Sequence, residues 1–210
     1  MFASVIRRIA AASGPIGVAI VTVGLVGCAT PEYPPAPLKA DVGEYRYRIG
    51  LLDTVNVNVW RNADFSAGGP VRPDGMITTP LIEDMPVFGK TPTELARDFE
   101  KTLEKYVRDP LVWVTVTGFM GTPTDQIRVI GEAAKPQILP YRLSMTILDV
   151  MIATGGITDF ADGNAATIYR QADGGKLYSV RLRDLLKRGD ITANVEMKPG
   201  DILIIPQSWF

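Results

Sequence analysis

The residue types that most enzymes use for acid–base, nucleophilic or metal chemistry are nearly absent from this sequence. It contains no histidine and one cysteine, Cys28. Histidine has an ordinary pKa close to neutral pH and is also the commonest metal ligand. A Ser-His-Asp triad, a Cys-His dyad, a histidine-ligated zinc site, an internal disulfide and a CxxC metal site are therefore excluded. Any catalysis would have to use carboxylates, lysine or tyrosine.

Three carboxylates stand beside expected turns. Asp53 precedes a strand pattern, Asp74 belongs to a Pro-Asp-Gly turn with Gly75, and Asp201 follows Pro-Gly at Gly200. A carboxylate at such a position commonly accepts hydrogen bonds from backbone N–H groups of the turn. We therefore predict structural roles for all three and expect no catalytic residue.

Two other groups of polar residues have a chemical alternative. Glu83 and Asp84 with Glu132 could act as a glycosidase acid and base, which requires two carboxyl groups about 5–10 Å apart. The stretch 159–164 carries two aspartates and an asparagine but lacks the ligand spacing and closing glutamate of an EF-hand loop. A solvated loop is favoured there, and no metal or cofactor is expected.

The tryptophans are the residues that could stack on sugar rings. Trp60 and Trp113 fall in strand patterns, which favours packing in a core over sugar stacking. Trp209 lies outside any pattern, and its role stays open.

Residues 1–27 have the organisation of a secretory signal peptide. Two arginines form a basic start, and the apolar run 16–26 is too short to span a bilayer, which takes about 20 helical residues. The run ends at Leu25-Val26-Gly27-Cys28, which resembles the lipobox of bacterial lipoproteins. The resemblance implies acylation of Cys28, with palmitate among the expected chains, and the following Ala29 favours the outer membrane. A small buried cysteine in an anchoring helix is the alternative.

Residues 28–44 are predicted to form a lipidated, proline-rich tether. Four prolines occur among the eight residues 30–37, a composition that gives an extended and semi-rigid chain. The tether would connect the lipid to the folded part of the protein.

The remainder is long enough for two small α+β domains, which we place at 45–117 and 125–210 with a linker at 118–124. The formal net charge is −1, and no stretch concentrates lysine and arginine beside aromatic residues. Nucleic-acid binding is therefore not expected.

In the first domain, Val55, Val57 and Val59 alternate with polar residues as in a half-buried strand, and a second strand is expected around 77–81. Thr91-Pro92-Thr93-Glu94 has the pattern of a capping box at the start of a helix. In the second domain, a helix is predicted over 146–153, a hairpin around 173–175 and a strand over 202–205.

The first domain resembles the polysaccharide export family of outer-membrane proteins. That family opens with Tyr-x-Ile-Gly-Pro-Gly-Asp, and residues 47–53 read Tyr-Arg-Ile-Gly-Leu-Leu-Asp. Because Leu51-Leu52 replaces Pro-Gly, we expect this turn to be built differently. The family continues with Val-x-x-Asp-Gly-x-Ile-x-x-Pro-Leu, which residues 71–81 match. The matching positions include Asp74, Gly75 and Pro80.

The second domain resembles the soluble-ligand-binding β-grasp (SLBB) module of the same family. The match includes the following turn and helix-end residues: Gly131, Gly155, Gly156, Gly200 and Asp201. Together the resemblances imply an α+β fold, with a polysaccharide-export N-terminal domain followed by one SLBB-type β-grasp domain.

The resemblance also implies a function without catalysis. A homo-oligomeric ring, lipid-anchored at the periplasmic face of the outer membrane, would conduct capsular polysaccharide or exopolysaccharide. Its partners would be the polymer, an inner-membrane chain-length regulator or tyrosine autokinase, and a separate outer-membrane β-barrel. The last is expected because longer relatives continue beyond the position of Phe210 into a pore-forming helix. The ending resembles short members found in exosortase-linked exopolysaccharide loci.

Two alternatives stay open. The chain could be a lipid-tethered β-grasp module that binds a soluble sugar as a monomer, which the oligomeric state in mild detergent would reveal. It could also be a carboxylate-dependent polysaccharide hydrolase, against which the lack of histidine and the turn positions of the aspartates argue.

Overall fold

The computed structural model describes residues 33–209. The expected signal peptide, Cys28, the start of the tether and Phe210 lie outside these described residues. Within them the chain forms three α-helices and ten strands, which confirms the prediction of an α+β fold. No helix between residues 33 and 209 is both long and apolar enough to cross a membrane.

The first domain is a small antiparallel sheet covered on one face by a helix. Its elements are β1 (Thr54–Val59), β2 (Ala67–Pro70), β3 (Met76–Thr79), β4 (Ile82–Pro86), α1 (Pro92–Leu103) and β5 (Val112–Gly118). The sheet has the order β2-β1-β5, while β3 and β4 form a separate hairpin. The valines of β1 are buried in one apolar core with α1, so the other face of the sheet is open.

Helix α1 forms for the local reasons that the sequence indicates. The Thr91 hydroxyl accepts a hydrogen bond from the Glu94 N–H at 3.3 Å, and the Glu94 carboxylate accepts one from the Thr91 N–H at 2.8 Å. This reciprocal pair satisfies two N–H groups that the first helical turn leaves without partners. Leu95, Phe99 and Leu103 recur on one side of the helix and are buried. The predicted capping box is confirmed.

The predicted strand over 77–81 is wrong in its boundaries. The chain instead reverses at Pro80-Leu81, where Leu81 has φ +68°, and the segment becomes the β3–β4 hairpin. Strand β2 was not predicted, because its sequence Ala-Gly-Gly-Pro has no alternation and pairs with β1 only through the backbone.

The second domain is a five-stranded mixed sheet with two helices. Its elements are β6 (Ile127–Gly131), β7 (Ile138–Leu139), α2 (Ile147–Thr154), β8 (Ala166–Arg170), β9 (Lys176–Val180), α3 (Leu182–Arg188) and β10 (Ile202–Ile205). The order is β7-β6-β10-β8-β9, with β10 parallel to β6 and the other pairs antiparallel. This is a β-grasp arrangement. The predicted hairpin is present as β8 and β9, and Gly155 ends α2 with φ +79°.

Part of the expected tether packs on the second domain. The Ser179 N–H donates to the Pro34 carbonyl at 2.8 Å, and the Ala36 N–H donates to the Ser179 carbonyl at 3.1 Å. Ala36 is buried in the second core, and the Glu196 N–H donates to the Leu38 carbonyl at 3.0 Å. Strand β9 is an edge of the sheet, and such an edge offers unpaired backbone groups. The described part of the expected tether is therefore docked on the second domain through residues 34–38.

One buried carboxylate joins the first domain to the segment expected to be a linker. Asp53 is fully buried and accepts hydrogen bonds from the N–H groups of Gly50 at 2.7 Å, Met120 at 2.7 Å and Gly121 at 3.1 Å. The Tyr47 hydroxyl donates a fourth hydrogen bond. The centre of the segment 118–124 is therefore fixed in place, since a buried charge is tolerated only when such donors surround it.

The residues around Asp53 leave little room for change. Burial and the Asp53 carboxylate raise the pKa of Tyr47 well above its usual range, so its hydroxyl remains protonated and able to donate. A Cβ atom at Gly50 would meet the Gly121 carbonyl oxygen at 1.8 Å, so only glycine allows the two backbones to approach this closely. Leu52 has φ +66° where the family motif has glycine, which is how this turn differs.

We predict that Asp53→Asn lowers the free energy of unfolding by about 3 kcal/mol, because an amide NH₂ would face a backbone donor and leave it buried without an acceptor. The same change at Asp74 is the control, since this carboxylate is nearly half exposed and pairs with Arg72 at the surface. Urea titration followed by circular dichroism should show a large effect only for Asp53. Equal midpoints for the two variants would contradict the structural role given to Asp53.

Candidate functional site

The glycines of the sequence motifs have backbone conformations that would be strained for any other residue. Gly75, Gly131, Gly155, Gly156 and Gly200 all have φ between +79° and +87°. At Gly131 an added Cβ would meet the Ile205 carbonyl oxygen at 2.0 Å, and at Gly200 it would meet the Thr124 carbonyl oxygen at 2.5 Å. Pro80 lies in the turn between β3 and β4. These residues therefore shape the backbone and present no functional group.

Asp201 is held in a buried ion pair that the sequence did not suggest. Both oxygens of its carboxylate contact the Arg170 guanidinium at 2.9–3.2 Å, and the Lys198 N–H donates to it at 2.8 Å. Both side chains of the pair are fully buried. Arg170 has the same parity in β8 as buried Ala166 and Ile168, so strand alternation could have shown that it points inward. With these bonds made, Asp201 is not available to a substrate.

The carboxylates of the hydrolase alternative lie apart in the fold. Glu83 and Asp84 are on β4 in the first domain, and Asp84 pairs with Arg72 at 2.6 Å. Glu132 follows β6 in the second domain and accepts a hydrogen bond from the Thr158 hydroxyl at 2.6 Å. The carboxylates thus belong to two domains, and Asp84 and Glu132 are each engaged with a neighbour.

The stretch 159–164 forms contacts within the protein. The Asn164 amide donates to the Asp184 carboxylate at 3.1 Å, and the Asp162 N–H donates to the Pro206 carbonyl at 2.9 Å. In the described part of the chain, no group of three or more acidic or cysteine side chains is placed to hold a metal ion.

The core packing expected of Trp60 and Trp113 is wrong. Trp60 is 55% exposed and Trp113 is 48% exposed, and their ring centroids lie 6.4 Å apart with a tilt of 56°. The reason is strand parity. Val59 and Val112 point into the core, so the residue next to each must point to the open face. Trp209, whose place was left open, is 91% exposed.

The open face of the first domain's sheet is polar and uncharged around this pair. Asn58 is opposite Trp113 in the register of β1 and β5, and Asn56 is opposite Thr115. Trp60 follows β1, and its backbone N–H donates to the Leu111 carbonyl at 2.9 Å. Strands β1, β2 and β5 contain no charged residue. We call the outward-facing residues Asn56, Asn58, Trp60, Trp113 and Thr115 the aromatic–amide face.

The open face of the second domain's sheet has a different chemistry. Ile130 and Ile138 are 47% and 51% exposed. In the register of β6 and β7, Ile138 is opposite Arg128, which is on the same side of the sheet as Ile130. Ile202 and Ile204 of the adjacent β10 are partly exposed on the same side, because Leu203 and Ile205 are buried. We call these four isoleucines the isoleucine face. A surface of this kind commonly contacts another protein.

A cavity of about 520 Å³ lies where the two domains meet. Tyr47 and Phe119 line it from one side, and Tyr141 and Met145 line it from the other. The rings of Tyr47 and Phe119 are in edge contact, with centroids 5.5 Å apart. The lining is largely apolar.

Comparison with known proteins gives matches to both domains. Residues 42–117 match the family model described as polysaccharide biosynthesis/export protein, and residues 125–205 match the SLBB domain. These matches occur in the order that the sequence motifs indicate.

Curated relatives match across both domains. The chain is 26% identical over 185 residues to the EPS I polysaccharide export outer membrane protein EpsA of Ralstonia nicotianae, covering 77% of this chain and 47% of the relative. It is 28% identical over 165 residues to the exopolysaccharide production protein ExoF of Rhizobium meliloti, covering 71% of this chain and 38% of the relative. The chain thus spans less than half the length of these two relatives.

The first family model is named for biosynthesis or export of polysaccharide, and the two relatives are named for its export or production. The two matched domains, their order and the motif residues described above lead to one classification. The chain belongs to the SLBB-containing polysaccharide export family.

Proposed function

We propose that this chain is a lipid-anchored component of exopolysaccharide export at the periplasmic face of the outer membrane, where it forms a homo-oligomeric ring that conducts the polymer. The observation that carries the proposal is the succession of a polysaccharide export domain and an SLBB domain in one chain. The names of the relatives, which refer to exopolysaccharide and to the outer membrane, support the cargo and the location.

The chemistry of the described surfaces supports transport over catalysis. A conduit for a long hydrophilic chain must let it slide, so weak and repeated contacts serve it better than a deep polar pocket. Asp53 and Asp201 are buried, and their carboxylates accept hydrogen bonds that stabilise the fold. The aromatic–amide face is open and free of charge, and so can contact a polymer without holding it.

The second domain has an apolar sheet face on one side and an exposed isoleucine on the opposite side, which supports a ring. The isoleucine face is on one side of the sheet. Helix α2 covers the other side, and there Ile152 is 72% exposed. A head-to-tail ring requires two different surfaces on one chain, each of which meets the other surface of the next copy. A second copy of this chain is therefore the occupant that we propose for the isoleucine face.

The ring would work with other envelope proteins. We propose an inner-membrane chain-length regulator or tyrosine autokinase as its periplasmic neighbour, and a separate outer-membrane protein that completes the path. These partners follow from the family alone.

A monomeric sugar-binding module is the second candidate function. The cavity lined by Tyr47, Phe119 and Tyr141 favours it, because aromatic side chains around a concave site are typical of small-ligand pockets. A binding module would act as a monomer, whereas a conduit must be an assembly.

Deletion of the gene in its bacterium should abolish exopolysaccharide in the culture medium, since the polymer would lose its path through the envelope. The measurement is the polysaccharide content of the medium and of the periplasm, with polymer expected to collect in the periplasm. Re-expression of the intact chain should restore export, and the Asp74→Asn variant should restore it equally. Normal secretion by the deletion strain would rule out the export function.

The double change Ile130→Lys and Ile138→Lys should convert the oligomer into monomer, because two ammonium groups would have to be buried without partners in the contact between copies. Cross-linking in cells and light scattering in mild detergent measure the state. Ile191→Lys is the matched control, since this isoleucine is also exposed but lies outside the isoleucine face. If the unchanged chain is monomeric while export is intact, the ring proposal is wrong.

Mass spectrometry of the mature protein should show an acylated N-terminal Cys28, as the lipobox predicts. The Cys28→Ala variant, exported by a cleavable secretory signal, should then leave the membrane fraction, since acyl chains contribute about 0.8 kcal/mol per buried methylene. A mature N-terminus at another residue, without modification, would contradict the lipid anchor.

A further inference from the structure

We propose that the aromatic–amide face is a binding surface for the polysaccharide chain itself, with the two indoles stacking on pyranose rings and the neighbouring amides and hydroxyl bonding to their hydroxyl groups. The inference rests on the proposed function and names the part of the chain that touches the cargo.

The position of the two indoles gives the surface its shape. Trp60 and Trp113 are diagonal neighbours across β1 and β5, and their rings are tilted by 56° with centroids 6.4 Å apart. They therefore form an open surface on the sheet and not an enclosed pocket. A sugar ring of the polymer can stack on this surface and then move along the sheet.

Polar groups without partners lie beside the indoles. Within residues 33–209, the side chains of Asn56, Asn58 and Thr115 make no hydrogen bond to the protein. Gly68 of β2 leaves room for the Asn56 side chain, since a Cβ at that position would meet the Asn56 side-chain oxygen at 1.9 Å. The amides and the hydroxyl are thus free to bond to a ligand that offers both donors and acceptors.

The combination matches a sugar better than it matches a protein or a nucleic acid. A pyranose ring has an apolar face of C–H groups, which stacks on an aromatic ring, and a rim of hydroxyl groups, which bonds to amides. A nucleic acid would require cations, and the three strands have none.

A second copy of the chain is the competing occupant. Stable interfaces between identical subunits are more apolar than the rest of the surface. The isoleucine face meets that description, whereas the aromatic–amide face is a row of amide and hydroxyl groups with two indoles at one end. The structure thus offers two chemically different surfaces for two different contacts.

Recognition by stacking and neutral hydrogen bonds predicts how binding responds to salt. Screening by added salt weakens contacts between exposed charges and leaves stacking nearly unchanged. Binding of the polymer to this face should therefore change little between low and high ionic strength, even if the polymer is itself acidic.

The test is affinity electrophoresis of the full-length protein in mild detergent, through gels that contain exopolysaccharide purified from the medium of the producing strain. The unchanged chain should be retarded, and the double variant Trp60→Ala and Trp113→Ala should bind about tenfold more weakly. The Trp60→Tyr and Trp113→Tyr variant should keep most of the binding. Trp209→Ala, which removes an exposed indole outside this face, should bind as the unchanged chain does.

Each other outcome overturns the inference in a distinct way. If the double alanine variant is folded, by thermal unfolding, and binds as tightly as the unchanged chain, the face does not touch the polymer. If it becomes monomeric, the face is a contact between copies. If the unchanged chain is not retarded while the deletion strain still fails to export, the export function stands and this surface is wrong. Normal export by the deletion strain would instead remove the proposed function.

Discussion

The buried carboxylate of Asp53 is the interaction on which the arrangement of the first domain depends. It accepts hydrogen bonds from the start of the domain, through Gly50 and Tyr47, and from the segment after β5, through Met120 and Gly121. A charge at this depth is stable only when all of these donors are in place. The ends of the domain are thereby brought together, and the sheet of β1 and β5 is fixed between them with one face covered by α1 and the other open.

Local features could be predicted from the sequence, whereas long-range ones could not. The capping box of α1 and the glycine end of α2 are set by residues within one or two turns of each other. The partners of Asp53 lie up to 68 positions away, and nothing local marks Met120 or Gly121 as its donors. The tether shows the same limit. Its prolines indicate an extended chain, but its pairing with Ser179 depends on an edge strand formed far along the sequence.

The position of the proposed binding face can be predicted from strand alternation, whereas hydrophobicity predicts a different one. The valines of β1 point inward, so Trp60, like the asparagines between them, has the outward position in the alternation. Trp113 follows the buried Val112 and therefore also has an outward position. Hydrophobicity suggested a core, although alternation placed both indoles on the surface. For Arg170 the residue type is misleading in the opposite direction, because an arginine is rarely fully buried without a partner such as Asp201. In both cases position in the strand decides the side chain's environment.

The two domains present open sheet faces of contrasting chemistry. In the ring that we propose, isoleucines would join neighbouring copies, and the uncharged aromatic–amide face would be left for the cargo. Electron microscopy of the assembly, purified from native membranes, tests this account most directly. We predict a closed ring of identical copies in which Trp60 and Trp113 line the lumen and Ile130 and Ile138 lie between neighbours. A monomer, or a ring that turns the two tryptophans to its outside, would contradict it.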